Sequence, residues 1–226
     1  MMNHIITYKP HLIHITGEKA KNLDTLLTTH YKISILQLME IAGLRLAEFI
    51  QSKLNKNNKV YFFIGPGNNG GDGLVAARFL NAWNISVKII LIKNESKYSK
   101  ISRYHLNTLS KLNIPIELFD KNLKHKISSN HILVDALLGS PLRSKPNKKM
   151  QDIFGTINKI NTTKISVDVP SGLNCTTGIL YKHHIKPNYI LSFVAPKKGF
   201  KKIINSKIYI ANIGININTF LKMNKT

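Results

Sequence analysis

Val60-Tyr61-Phe62-Phe63-Ile64 runs without a break into Gly65-Pro66-Gly67-Asn68-Asn69-Gly70-Gly71-Asp72-Gly73, and Leu74 to Trp83 follows with helical character. Five β-branched or aromatic residues in a row predict a strand buried on both faces. The glycine-rich stretch predicts a turn, where glycine permits positive φ and lets a ligand approach the backbone. A helix start directly after such a turn offers amides to an anion such as a pyrophosphate.

Outward from this unit the same alternation repeats. Strands are predicted over Val87 to Ile92, Ile132 to Val134, Ile165 to Val169, Tyr189 to Val194 and Ile208 to Ala211. Helices are predicted over Ser99 to Leu112 and Ile153 to Ile160. Before the first strand the chain reads helical. Gly17 to Thr29 carries Ala20, Leu23, Leu26 and Leu27 at helical spacing, and Ser34 with Gln37 has the form of a capping box ahead of a second apolar face reaching about Leu54. Uniformly apolar strands separated by helices imply a Rossmann-like three-layer αβα sandwich with a mostly parallel sheet. The 226 residues suit one domain, 1–226. Such sheets take their ligands at the carboxyl ends of the strands.

The composition narrows the class. A single cysteine, Cys175, excludes an internal disulfide, and the first ten residues lack a secretory signal, so a cytoplasmic location is expected. No apolar run is long enough to span a bilayer. The formal net charge is +22. The lysines are scattered among abundant Asn and Ile, residues that share A- and T-rich codons, and are not striped along a helix. Neither a nucleic-acid nor a membrane partner is expected.

The chemistry collects at strand ends. Only six aspartates occur, and three of them, Asp72, Asp135 and Asp168, fall at the expected carboxyl edge of the sheet. An Asp capping the next helix explains any one of these, but less easily all three. Carboxylates grouped with the Asn68 and Asn69 amides and the Ser171 hydroxyl suit either a hard cation or acid–base catalysis in a closed pocket. No His/Cys set has zinc spacing, and neither Cys175 nor Ser171 has an evident base. Gly65, Gly67 and Gly70 satisfy G-x-G-x-x-G, but the Asn-Asn and internal Asp are foreign to a dehydrogenase turn, and Glu95 is the sole candidate for a ribose acid.

The run Gly65 to Ala77, GPGNNGGDGLVAA, closely resembles the hallmark loop of the NAD(P)H-hydrate epimerase family, the YjeF N-terminal domain. Leu38 to Gly43 resembles its LMExAG helix, and Val134 to Gly139 its VDALFG strand end. Asp168 to Asn174 resembles its DIPSGLN loop, Ala195 to Gly199 its APKKG turn, and Asn212 to Ile215 its closing DIGIP, with Asn212 in place of the Asp and Asn216 in place of the Pro. The resemblance implies an isomerase that interconverts the R and S epimers of hydrated NADH or NADPH at C6 of the nicotinamide. A separate dehydratase then restores the cofactor; a fused dehydratase domain is not expected. Asn68, Asn69, Gly70, Gly71 and Asp72 would contact the substrate, and Gly139, Ser140, Pro141, Leu142, Arg143, Ser144 and Lys145 would hold its phosphates. Asn69, Asp135 and Ser171 would bind potassium. Asp168 would face the reacting ring and shuttle the proton, with Asp135 as second choice. Family members are commonly homodimers. The phosphate loop departs from the family's GTGL, with Pro141 replacing a glycine and removing an N–H; Arg143 and Lys145 offer compensating cations. Two other readings remain: a non-catalytic nucleotide-binding module of the same fold, and a Rossmann oxidoreductase.

Overall fold

In a computed structural model that describes residues 4–55, 58–125, 127–140, 145–218 and 220, the chain forms one eight-stranded sheet with helices on both faces. The strands are β1 (Ile5–Thr7), β2 (Val60–Ile64), β3 (Val87–Leu91), β4 (Ile116–Leu118), β5 (Ile132–Ala136), β6 (Thr163–Val167), β7 (Tyr189–Phe193) and β8 (Lys207–Ala211). Their order is β1-β8-β7-β6-β5-β2-β3-β4. Seven strands run parallel, and only β1, paired with β8, is antiparallel. The chain winds from β2 to one edge and from β5 to the other, so the topological switch lies between β2 and β5. A ligand crevice is expected there.

The helices are α1 (Gly17–Thr29), α2 (Ile35–Gln51), α3 (Asn68–Ala82), α4 (Lys100–Lys111) and α5 (Lys148–Lys159). Side chains alternate across β2, as a pleated strand requires. Val60, Phe62 and Ile64 join the core under α1 to α4, whereas Tyr61 and Phe63 join the core under α5. This satisfies both faces of an all-apolar strand and fixes the three layers. Ser34 caps α2 reciprocally with Gln37, the expected capping box. Among the described residues no helix is long and apolar enough to cross a membrane.

Three expectations are corrected. α3 begins at Asn68, not Leu74, so most of the glycine-rich stretch is helix. None of its glycines has positive φ. They are needed for close approach instead: a Cβ on Gly65 would lie 1.8 Å from the Leu137 carbonyl oxygen, and one on Gly70 2.0 Å from that of Gly65. β6 ends at Val167, two residues early, because Asp168 turns the chain at φ 60. α5 starts five residues early at Lys148, capped by the Asn147 side chain on the Met150 amide. The short edge strands β1 and β4 carry too few apolar residues to show an alternation.

Candidate functional site

The carboxyl ends of β2, β5, β6 and β7 surround a cavity of about 440 Å³, within the range typical of ligand sites. It opens at the switch point. Its polar wall is Asn68, Asn69 and Asp72 from α3, Gly139 and Ser140 after β5, Asp168 after β6, and Lys197 after β7. α1 and α2 close the other side, with Leu23, Asp24, Leu38 and Met39 among the side chains they contribute. The position of α1 is fixed at its start. The Gly17 amide donates to Thr176 Oγ1 (2.9 Å), and the backbones of Ile15 and Lys198 pair across the turn after β7.

Asp168 and Val194 occupy the tips of neighbouring strands in matching conformations. Each is the centre of a γ-turn: the Val169 amide donates to the Val167 carbonyl (2.7 Å), and the Ala195 amide to that of Phe193 (2.8 Å). Their φ values are 60 and 66. Such turns are strained, most of all for a β-branched residue, and strain of this kind concentrates at functional sites. Here it turns the Asp168 carboxylate toward β7. Its Oδ1 lies 2.8 Å from Lys197 Nζ and accepts from Ser192 Oγ (3.1 Å). Lys197 is only 2% exposed, and its ammonium also donates to Ser192 Oγ and to the carbonyls of Phe193 and Ala195. A buried lysine wrapped this way is committed to Asp168.

Asp135 is fully buried behind the cavity wall and accepts four hydrogen bonds. Ser166 Oγ donates at 2.7 Å, Ser171 Oγ at 2.6 Å, the Ser171 amide at 3.0 Å and the Leu137 amide at 3.3 Å. Burial pushes its pKa up and these bonds oppose it. Among the described residues it has no ion-pair partner. Ser171 Oγ accepts from the Leu138 amide (2.9 Å), and the next residue, Gly139, touches Asn69. A Cβ on Gly139 would lie 3.0 Å from that of Asn69.

Asn69, Asp135 and Ser171 are therefore contiguous through the loop after β5, with Asn69 facing the cavity and the other two behind it. Asp168 lines the same cavity. Gly70 and Gly71 are buried and let α3 pack close to the Gly65 backbone and to Met39; neither reaches the cavity surface. Lys145 is exposed and away from the cavity, and the Pro141, Leu142, Arg143 and Ser144 expectations lie outside the described residues. Glu95 is exposed in a short 3-10 turn. Cys175 is buried, its thiol 3.1 Å from Ser140 Oγ.

Two cavity residues escaped the sequence reading. Lys197 belongs to the Ala195 to Gly199 motif, but nothing in sequence shows it reaching back to Asp168. Asp24 left a fainter trace. It lies four residues after Ala20 and three before Leu27, a carboxylate set into the apolar stripe of α1. Its side chain is exposed to solvent beside the cavity it lines; the protein packed around it, then the Asp168 charge, push its pKa up to about 6 against the opposing pull of Lys197. The pKa of Asp72 is raised well above the usual range by burial, then by Asp168 and Asp24.

With this geometry in place, the similarities to known proteins are informative. Residues 35–199 match the family model described as YjeF-related protein N-terminus. An NAD(P)H-hydrate epimerase of Entamoeba histolytica is 37% identical over 83% of this chain and 82% of its own. A bifunctional NAD(P)H-hydrate repair enzyme Nnr of Hyperthermus butylicus is 33% identical over 79% of this chain but 34% of its own. The crystal structure of the yeast protein ynu0 superposes with a TM-score of 0.83 at 24% identity, covering 92% of this chain and 93% of that one, a likeness of fold.

Proposed function

The chain belongs to the NAD(P)H-hydrate epimerase family built on the YjeF-related N-terminal domain, and from that membership we propose how its cavity works. The protein is an isomerase that interconverts the R and S epimers of hydrated NADH and NADPH. The observation that carries the placement of this chemistry is the Asp168–Lys197 pair at the strained tips of β6 and β7, set into the wall of a ligand-sized cavity at the switch point.

Inverting C6 requires the hydroxyl to leave and return, with the ring nitrogen carrying positive charge in between. A carboxylate fixed beside the ring stabilises that charge. Asp168 suits this role better than that of proton carrier, because its Oδ1 is already held by Lys197 Nζ and Ser192 Oγ. Asn68 and Asn69 line the wall as polar contacts for the ring substituents, and the free amides at the start of α3 face the phosphates. Apolar side chains of α1 and α2, Leu23, Leu38 and Met39 among them, face the polar wall across the cavity.

Potassium fits the residues present. Asn69, Asp135 and Ser171 offer a carboxamide, a carboxylate and a hydroxyl, an all-oxygen set. The Asn69 Nδ2 is buried without a partner, and the buried Asp135 charge has no counter-ion among the described residues. An amide's oxygen and nitrogen are interchangeable in assignment, so the carbonyl oxygen fits the orphaned position. Asn69, Asp135 and Ser171 would hold the ion, which would supply the counter-charge that the buried Asp135 lacks among the described residues. Among the described residues no three His, Cys, Asp or Glu side chains form a group able to hold a metal.

The bifunctional relative joins two repair steps in one chain, which supports a second enzyme that consumes one epimer made here. The test is direct. Purified protein is incubated with the chirally resolved R hydrate of NADPH, and the S form is followed by chromatography. Accumulation of the S form well above the spontaneous rate is expected; a rate equal to the protein-free control refutes the proposal.

A further inference from the structure

The cavity holds three carboxyl groups, on Asp24, Asp72 and Asp168, and one buried ammonium, on Lys197. Lys197 is committed to Asp168. The side chains of Asp24 and Asp72 have no hydrogen-bond or ion-pair partner among the described residues. α2 meets them with apolar side chains alone, Leu38 and Met39 among them, and the one other charged group on the wall is the exposed Lys21 on Asp24's own helix. Three carboxyls facing one cavity with a single ammonium, itself held by Asp168, resist ionising together. The arrangement thus separates one carboxylate paired with an ammonium from two with no such partner.

We propose that Asp24 is the catalytic acid–base residue of the epimerisation, giving a proton to the departing C6 hydroxyl and taking one back from the water that replaces it. The proposal rests on the epimerase reading above and assigns a role within the same cavity. The Asp24 proton passes to the hydroxyl oxygen, the C6–O bond breaks, and its electron pair leaves with water. The ring-nitrogen lone pair closes a C6=N double bond, whose positive charge faces Asp168. Water then adds to C6 from the other face, the C=N pair returns to nitrogen, and the proton that the added water releases returns through intervening solvent to the Asp24 carboxylate. Nothing is oxidised, and the enzyme returns to its starting state. Of these two unpartnered groups, Asp24 is the better carrier, because its side chain keeps solvent contact and can exchange its proton there, whereas Asp72 is half-buried on α3. The Asp24 pKa of about 6 lies near working pH, so it gives and accepts with similar ease. Asp72, whose pKa burial and the neighbouring carboxylates raise, faces the same cavity from α3.

The experiment measures R-to-S conversion of hydrated NADPH from pH 5 to 9 for wild type, Asp24→Asn and Asp24→Glu, with thermal unfolding of each. Failure of wild type to epimerise removes the functional reading itself; the Asp24 assignment is judged only against an active wild type. For active wild type, kcat/KM is expected to fall tenfold per pH unit above about pH 6, as the required proton is lost from Asp24 in the free enzyme. Asp24→Asn should lower kcat by roughly 100-fold or more, leave KM within about threefold, and abolish that limb. Asp24→Glu should keep a limb with a displaced midpoint and recover part of the rate. Near-wild-type kcat in Asp24→Asn, a loss confined to KM, or an unchanged limb in either variant overturns the proposal. If Asp24→Asn does not fold, the midpoint in Asp24→Glu decides alone.

Discussion

Replacing Lys197 by Met tests the electrostatic frame of the site. The methionine keeps most of the side-chain volume and removes one ammonium. That ammonium contacts Asp168 Oδ1 at 2.8 Å, Ser192 Oγ at 3.1 Å and two carbonyl oxygens at 3.2 and 3.3 Å. Breaking a buried pair by deleting one partner costs about 3–5 kcal/mol, because the other charge is left uncompensated. Asp168 opens onto the cavity and keeps its Ser192 donor, which places the expected loss near the lower end, about 3 kcal/mol. For a chain of this size that is a fall in Tm of roughly 6–12 °C. Asp168→Asn strands the ammonium instead and should cost a similar amount. The double variant has no charge to strand, so its loss should be smaller than the sum by about 2 kcal/mol. Urea unfolding of the four proteins, with the m-value checked for constancy, measures this. A coupling below about 0.5 kcal/mol would mean that Lys197 and Asp168 do not form the unit described here.

Three further outcomes follow from the geometry. Gly65→Ala should unfold the protein or cost more than about 3 kcal/mol, since its Cβ meets the Leu137 backbone at 1.8 Å, whereas Gly67→Ala, with nothing within 4 Å, should keep the fold; circular dichroism melts separate the two. Asp24 has a folded pKa of about 6 against 3.8 unperturbed, so its contribution to stability is full below about pH 4 and lost as pH rises to 6; Asp24→Asn should therefore melt higher than wild type at pH 7, with the gap closing below pH 4. Potassium should raise Tm in a saturable way that sodium or choline at equal ionic strength does not reproduce, and Asp135→Asn should abolish the effect.

The central strands were legible because they are apolar on both faces: Val60 to Ile64 and Ile132 to Val134 had no other plausible reading. The capping box at Ser34 was legible because it is a local chemical pattern. The start of α3 was not. Gly65 to Gly73 has turn composition, and only the crowding of Gly65 and Gly70 against backbone oxygens shows that the glycines serve close packing of a helix. The convergence of Asn69, Asp135 and Ser171 could be expected from strand ends, but their depth could not: Asp135 and Ser171 lie behind the wall that Asn69 faces. Lys197 and Asp24 were not assigned to the site from sequence for a common reason. Each reaches the cavity from an element distant in sequence, Lys197 from the turn after β7 and Asp24 from a helix that precedes the sheet.

The structure of the protein with hydrated NADPH bound tests the central claim most directly. The account predicts the hydrated ring between Asp168 and the Asp24 and Asp72 carboxyls, with C6 and its hydroxyl within hydrogen-bonding reach of Asp24. A ligand seated elsewhere, such as the groove lined by Arg45, Asn212 and Ile217, or with its ring turned away from Asp168, would contradict it.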